Sequence, residues 1–193
     1  MPRKSLAKQR REELLDAFER CIVKYGLEGT SLEQVATEAD MTRSIIRHYI
    51  GNRDKLVEAL IERIIRQYTE QLTSAYEGIS PEHSIQYSLD SMFSEQETMS
   101  SRDKIIIDVL MTAKERYPEA KKMLIQMFEA LVKSFGDDLK KVYKKASKEQ
   151  CRQVSYAIIC MSEMHESFMW LGMKKQYHQD ARAMADTLLK TLE

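Results

Sequence analysis

Arg43, Ser44, Ile45, Arg47, His48 and Tyr49 fall within one short run, and no acid interrupts the stretch from Thr42 to Gly51. Guanidinium, hydroxyl and imidazole groups at this density make no bond-breaking apparatus. They suit hydrogen bonding to phosphate oxygens and to the edges of bases. On a helix, Ile46 and Ile50 lie four apart and turn to one side, which leaves Arg43, Ser44, Arg47 and His48 toward the other. Side chains near the start of such a helix reach base edges, and later ones meet phosphates. Arg43, Ser44 and Ile45 are therefore expected to read bases, with Ile45 able to meet a thymine methyl. Arg47 and His48 can serve either role. Tyr49, Arg53 and Lys55 are expected to clamp the phosphate backbone.

These side chains need a helix-turn-helix to present them. Gly26-Leu27-Glu28-Gly29 stops a preceding helix, and the hydroxyls of Thr30 and Ser31 can cap the next one. Within that next helix Leu32, Val35, Ala36 and Ala39 repeat at i, i+3, i+4 and i+7, forming one apolar face with a small residue where two helices approach. Asp40 follows at a turn position that wants a left-handed backbone, which Asp tolerates. Met41 can plug back into the core, and Thr42 can cap the second helix. A hairpin of two helices with a solvated charged face is the plain alternative. The cap, the turn, the small residue and the basic second helix occur together, which favours DNA binding.

The run from Thr30-Ser31-Leu32 through Val35-Ala36, Ala39-Asp40-Met41-Thr42, Arg47-His48-Tyr49-Ile50 and Arg53-Asp54-Lys55-Leu56 resembles the DNA-binding half of TetR-family transcriptional regulators. The resemblance covers about a quarter of the chain. It departs from the family pattern at Asp40 (usually glycine), Arg47 (often tyrosine), Ile50 (phenylalanine) and Arg53 (lysine). The tract from Ile45 to Gly51 is similar to the branch of choline/betaine-type repressors. The resemblance implies an inducer pocket among the fourth to eighth helices and a two-fold homodimer formed by the last two.

The chain has 193 residues, 43% hydrophobic and 31% charged, with a formal net charge of zero. Proline (3) and glycine (6) are scarce, and no strand-like alternation of useful length occurs, so an all-α protein of about nine helices is expected. The expected division is a DNA-binding domain over residues 1–52 with a basic N-terminal arm, and a ligand-binding and dimerisation domain over 53–193. Arg3, Lys4, Lys8, Arg10 and Arg11 in that arm can lie along phosphates or in the minor groove, or form a solvated tail. No apolar run approaches the roughly 20 residues that span a bilayer, and the N-terminus carries no secretory pattern. Cys21, Cys151 and Cys160 have no metal spacing and read as reduced, mostly buried thiols, so the expected location is cytoplasmic.

Apolar periodicity predicts a first helix from about Leu6 to Tyr25. A fourth runs from near Arg53 to Tyr76, with Leu56, Leu60, Ile64 and Tyr68 inward. Ser80 and Pro81 suit the cap and first position of a fifth. Another helix opens at Ser100-Ser101, and the next at Tyr117-Pro118, where Gly136 and Asp137-Asp138 can kink or interrupt it. Lys148 to Trp170 and Gln179 to Leu192 complete the set.

The region from about Tyr68 to Met173 is rich in methionine and aromatic residues, which suit either an ordinary core or an adaptable pocket. Tyr87, Phe93, Met111, Met127, Phe128, Phe168 and Trp170 are candidate pocket walls. Two polar residues stand inside apolar runs. Asp108 can meet a cationic ligand, pair with an arginine or face solvent. His165 can contact a ligand, sit at the dimer seam or be a satisfied core residue. No cofactor is implied. An enzyme reading has little support: Met169 stands where a zinc-protease helix needs a second histidine after His165-Glu166, and the chain has no phosphate loop or nucleophile elbow. The leading expectation is a ligand-responsive homodimeric repressor that binds a palindromic double-stranded operator and is released by a small-molecule inducer. The alternative is a helical adaptor that has lost sequence-specific DNA recognition.

Overall fold

The computed structural model describes residues 3–94, 105 and 116–193. The chain is all-α. Among the described residues there are eight helices: α1 (Arg3–Tyr25), α2 (Leu32–Glu38), α3 (Arg43–Tyr49), α4 (Arg53–Tyr76), α5 (Pro81–Met92), α6 (Pro118–Val142), α7 (Lys148–Trp170) and α8 (Gln176–Lys190). The helix expected to open at Ser100-Ser101 lies outside the described residues, apart from helical, fully buried Ile105. Among the described residues no helix is long and apolar enough to cross a membrane.

Packing divides the chain into two compact units: Met1–Gln71 with Ser100–Ile125, and Leu72–Met99 with Gln126–Glu193. In the first, the faces of α1 (Leu14, Leu15, Phe18, Ile22), α2 (Val35, Ala36), α3 (Ile46) and α4 (Leu56, Leu60, Ile61, Ile64) are all buried. Each set follows the helical period, so burial of one stripe per helix carries these short elements, which would be marginal alone. Burial along α4 does not extend to Tyr68, which is 40% exposed. Arg63 is on the buried side of α4 instead, 3% exposed, and pairs with Asp16 and Glu19 of α1.

The local signals work as the residue types dictate. Ser31 caps α2, accepting from the Gln34 backbone N–H while the Gln34 side chain accepts from the Ser31 N–H. This reciprocal pair satisfies two otherwise free donors. Thr30 does not share the task. It is 2% exposed and its hydroxyl donates to the Gly26 carbonyl at 2.7 Å. A Cβ on Gly29 would collide with the Tyr25 carbonyl oxygen, so this loop admits only glycine there.

The basic N-terminal residues from Arg3 onward are helical. Helix α1 begins at Arg3, because the segment is made of good helix formers and carries Gln9–Glu13 and Arg10–Glu13 side-chain pairs. In the second unit, Ser80 caps α5 with Pro81 in its first turn, and Ser147 caps α7. Gly136 does not interrupt α6. A Cβ there would make only ordinary contact with α7, 3.5 Å from the Arg152 Cα. Ile85, Leu89, Phe93, Phe135, Leu139, Cys151, Ile158, Ile159, Ala185 and Leu189 form the core of this unit.

Candidate nucleic-acid interface

The turn between α2 and α3 is tight. Asp40 adopts φ +50°, in the left-handed region. Its N–H donates to the Thr37 carbonyl at 3.2 Å, and the Met41 N–H donates to the Ala36 carbonyl at 2.9 Å. A carboxylate side chain tolerates this backbone where most Cβ-bearing residues resist it. Ala36, 4% exposed, leaves room for α3 to cross close by. Arg20 of α1 pairs with Glu38 at the end of α2 at 2.7 Å, a largely exposed contact.

Helix α3 is anchored by Ile46, which is fully buried, while Ile50 at its end is half-buried. Arg43, Ser44, Arg47 and His48 are exposed, and Ile45 and Tyr49 are half-buried. His48 stands edge-on to Tyr49 with ring centroids 4.9 Å apart. Among the described residues no carboxylate engages Arg43 or Arg47. Two free guanidiniums on one exposed face of a short helix are available to an anionic partner without first breaking an ion pair.

Thr42 is placed differently from expectation. It occupies the cap position of α3 with extended backbone, but its side chain caps nothing; its hydroxyl lies 2.8 Å from the Ser44 hydroxyl. An open cleft of about 450 Å³ beside α3 is lined by Arg10 of α1, Asp40, Ser44, Ile45, His48 and Tyr49. Arg10 thus joins the recognition face, through the helical path of α1.

Arg53 and Lys55, expected together as phosphate clamps, separate in the structure. Lys55 is exposed and pairs with Glu58 at 2.6 Å across one turn, an exchangeable surface contact. Arg53 turns inward. Its side chain is 17% exposed, its Nε donates to the Thr30 carbonyl at 3.1 Å, and its Nη atoms donate to the Leu27 carbonyl and the Tyr117 hydroxyl. Three of its five N–H donors are thus engaged within the protein. Asn52, unremarked in the sequence, caps α4 by accepting from the Lys55 N–H at 2.9 Å.

Of the candidate ligand residues, Asp108, Met111 and the side chain of Trp170 lie outside the described residues. The second unit brings Phe93, Phe128 and His165 toward one region: Phe93 is 5% exposed, Phe128 packs on the same core, and the Phe93 and His165 ring centroids are 6.3 Å apart. Met127 is half-buried. Tyr87 and Phe168 are 49% and 45% exposed. His165 has a partner that sequence reasoning did not pair with it: its Nε2 lies 3.2 Å from Nδ1 of His178. Burial, and secondarily His178, holds the His165 imidazole below its ordinary range. Cys21 and Cys151 are buried and Cys160 is exposed. Burial raises the Cys21 thiol, which keeps it protonated and unreactive.

Residues 14–60 match the sequence pattern described as "Bacterial regulatory proteins, tetR family". Over 66 residues the chain is 39% identical to the HTH-type transcriptional regulator BetI of Burkholderia thailandensis, and to that of Burkholderia cenocepacia. The match covers 34% of this chain and 34% of each relative, so the chain spans about a third of the length of the curated relatives it matches. The fold is similar over nearly the whole chain to a TetR transcription regulator from Haloarcula marismortui (TM-score 0.81, 12% identity, 95% of this chain and 98% of that one). It is also similar to a transcriptional regulator from Saccharomonospora viridis solved in complex with choline (TM-score 0.81, 8% identity, 95% and 96% covered).

Proposed function

We propose that this chain is a DNA-binding transcriptional regulator of the tetR family, acting as a ligand-responsive homodimeric repressor; the match of residues 14–60 to that family's pattern and the likeness in fold support the reading. One observation carries the reading. Arg43, Ser44, Arg47 and His48 stand exposed on a helix whose opposite side is pinned by fully buried Ile46. Such a helix can enter the major groove with Arg43, Ser44 and Ile45 toward base edges. Arg47, His48, Tyr49, Lys55 and Arg10 then face the backbone. Residues 1–52 form the DNA-binding part, and 53–193 serve ligand binding and dimerisation.

A homodimer is supported by an unpartnered apolar stripe. Tyr156, Met164, Phe168 and Leu171 are 58%, 56%, 45% and 80% exposed on or just after α7, with the first three in step at multiples of four. Tyr177 and Met184 of α8 are 47% and 52% exposed. Exposed apolar side chains gathered on two neighbouring helices suit an interface, and a second copy of the same chain gives a two-fold, self-complementary one. The dimer presents two recognition helices, which must lie roughly 34–36 Å apart to reach successive major grooves. A ligand that binds better to a state with another spacing lowers operator affinity by that difference in free energy. The 39% likeness to BetI regulators covers 66 residues, a third of this chain. It does not extend to the choice of inducer.

The test is selection of bound duplexes from a random pool by the purified protein at about 0.15 M salt, where non-specific phosphate binding is suppressed. The expected outcome is one palindromic motif. A dimeric protein that enriches no sequence sinks the regulator reading in favour of a protein-binding adaptor.

A further inference from the structure

In the first unit a cluster of four side chains joins segments far apart in sequence. Arg53, the first residue of α4, donates to the carbonyls of Leu27 and Thr30, which lie in the loop between α1 and α2. It also donates to the Tyr117 hydroxyl. Tyr117 is 1% exposed, and its hydroxyl donates to Glu28 Oε1 at 3.1 Å. Arg116 binds the other oxygen of Glu28, and Arg53 Nη2 lies 3.6 Å from the first. The Arg53 and Arg116 guanidiniums each sit 5.7 Å from the centre of the Tyr117 ring. A single carboxylate from the α1–α2 loop is therefore shared by two guanidiniums and a buried phenol.

The loop so held ends in Ser31, the cap of α2, and α2 sets the position of α3 through the left-handed turn at Asp40. Tyr117 directly precedes Pro118, the first residue of α6. A phenol at the entrance to α6 thus completes the support of the loop from which α2 begins.

We propose that Arg53 and Tyr117 are positioning residues for DNA recognition: they set the helix-turn-helix by latching the Leu27–Thr30 loop, and Arg53 contributes to operator affinity through this latch rather than by holding a phosphate. The proposal rests on the regulator reading above. A phosphate contact releases counterions and steepens the salt dependence of binding; an internal latch does not. The two roles are therefore separable in a single measurement.

The experiment is operator affinity against salt concentration, using the duplex recovered from the random pool, well below the melting temperature of every protein compared. Arg53→Gln is expected to weaken binding at least tenfold with the logarithmic salt slope unchanged. Tyr117→Phe, which removes only the hydroxyl, is expected to weaken it about three- to tenfold, also at unchanged slope. The double variant is expected to be little worse than Arg53→Gln alone, since both break one network. Glu28→Gln keeps the shape of the partly exposed carboxylate and gives the same pattern if Tyr117→Phe does not fold. A slope reduced by about one in Arg53→Gln makes Arg53 a phosphate ligand and overturns the proposal. So does parental affinity in both Tyr117→Phe and Glu28→Gln, because stability alone would then explain the cluster. If the parent enriches no duplex, the regulator reading fails first, and the latch proposal falls with it.

Discussion

Arg63 of α4 reaches Glu19 of α1 at 2.8 Å with its guanidinium almost wholly out of solvent, its side chain only 4% exposed. Asp16 takes a second donor at 2.5 Å and Glu12 lies 3.5 Å away, while Nε is buried without a partner. Three carboxylates from successive turns of α1 therefore hold one cation on the buried side of α4. Removing the cation leaves a cavity and three neighbouring acids without their counter-charge. Arg63→Ala is expected to cost about 2–4 kcal/mol, and Arg63→Met, which refills the space, less than half of that. Denaturant unfolding of the two variants checks the order. Equal losses would mean that packing volume contributes little at this site.

The two exposed arginines of α3 have different roles in the proposed reading. Arg43→Ala is expected to relax base preference at one position of the operator half-site, at a cost of about 1–3 kcal/mol on the preferred duplex. Arg47→Ala is expected to weaken all duplexes more evenly and to lower the salt slope by about one. Repeating the random-pool selection with each variant separates the two. Identical motifs and affinities for parent and both variants would remove α3 from the interface.

The left-handed turn at Asp40 offers a test of backbone rather than side-chain chemistry. Asp40→Gly relieves a φ of +50° and is expected to be neutral or mildly stabilising. Asp40→Val places a branched Cβ in that region and is expected to cost about 1–2 kcal/mol. Thermal melts report both, and a stable valine variant would mean that the turn has another accessible geometry.

The apolar stripe on α7 gives an assembly prediction. Phe168→Glu and Met164→Glu together place two charges on the exposed line and are expected to yield monomers by sedimentation, with operator affinity reduced by at least a factor of 100. Both residues are more than 40% exposed in the single chain, so their replacement spares the core. A dimeric double variant would move the interface elsewhere.

The histidine pair predicts a pH response. Burial and the neighbouring His178 depress the His165 pKa, so His165 stays neutral in the folded chain where the unfolded chain already takes up a proton. Unfolding then binds protons as pH falls below the ordinary imidazole value of about 6.5, and stability present above that value is lost on acidification. Melting temperature should drop between about pH 7 and pH 5.5, and His165→Gln should flatten that drop. An unchanged slope in the variant would assign the acid sensitivity to other groups.

Much of the architecture is local in origin and hence legible along the chain. Ser31 with Gln34, Ser80 with Pro81, and Ser147 with Gln150 start their helices through neighbours three residues away or fewer. Asp40 is left-handed at a position between two apolar periods, where its side chain tolerates that backbone. Arg63 left a faint signal, a cation on the side of α4 that also carries Leu56, Leu60 and Ile64; the same reading of an interrupted apolar run that singled out Asp108 would have found it.

What the amino-acid order determined by itself was the all-helical class, the helix-turn-helix and the exposed basic face of α3, because caps, turns and 3.6-residue periodicity act over a few residues. Only the tertiary structure decided what each long side chain binds. Arg53 points to Leu27, Thr30 and Tyr117 instead of outward, and His165 meets His178, through contacts that span 26, 23, 64 and 13 residues. A guanidinium on a four-bond stem can reach either solvent or the interior. Its choice is set by which buried acceptors the fold brings within reach, and that depends on packing between segments that no local pattern encodes.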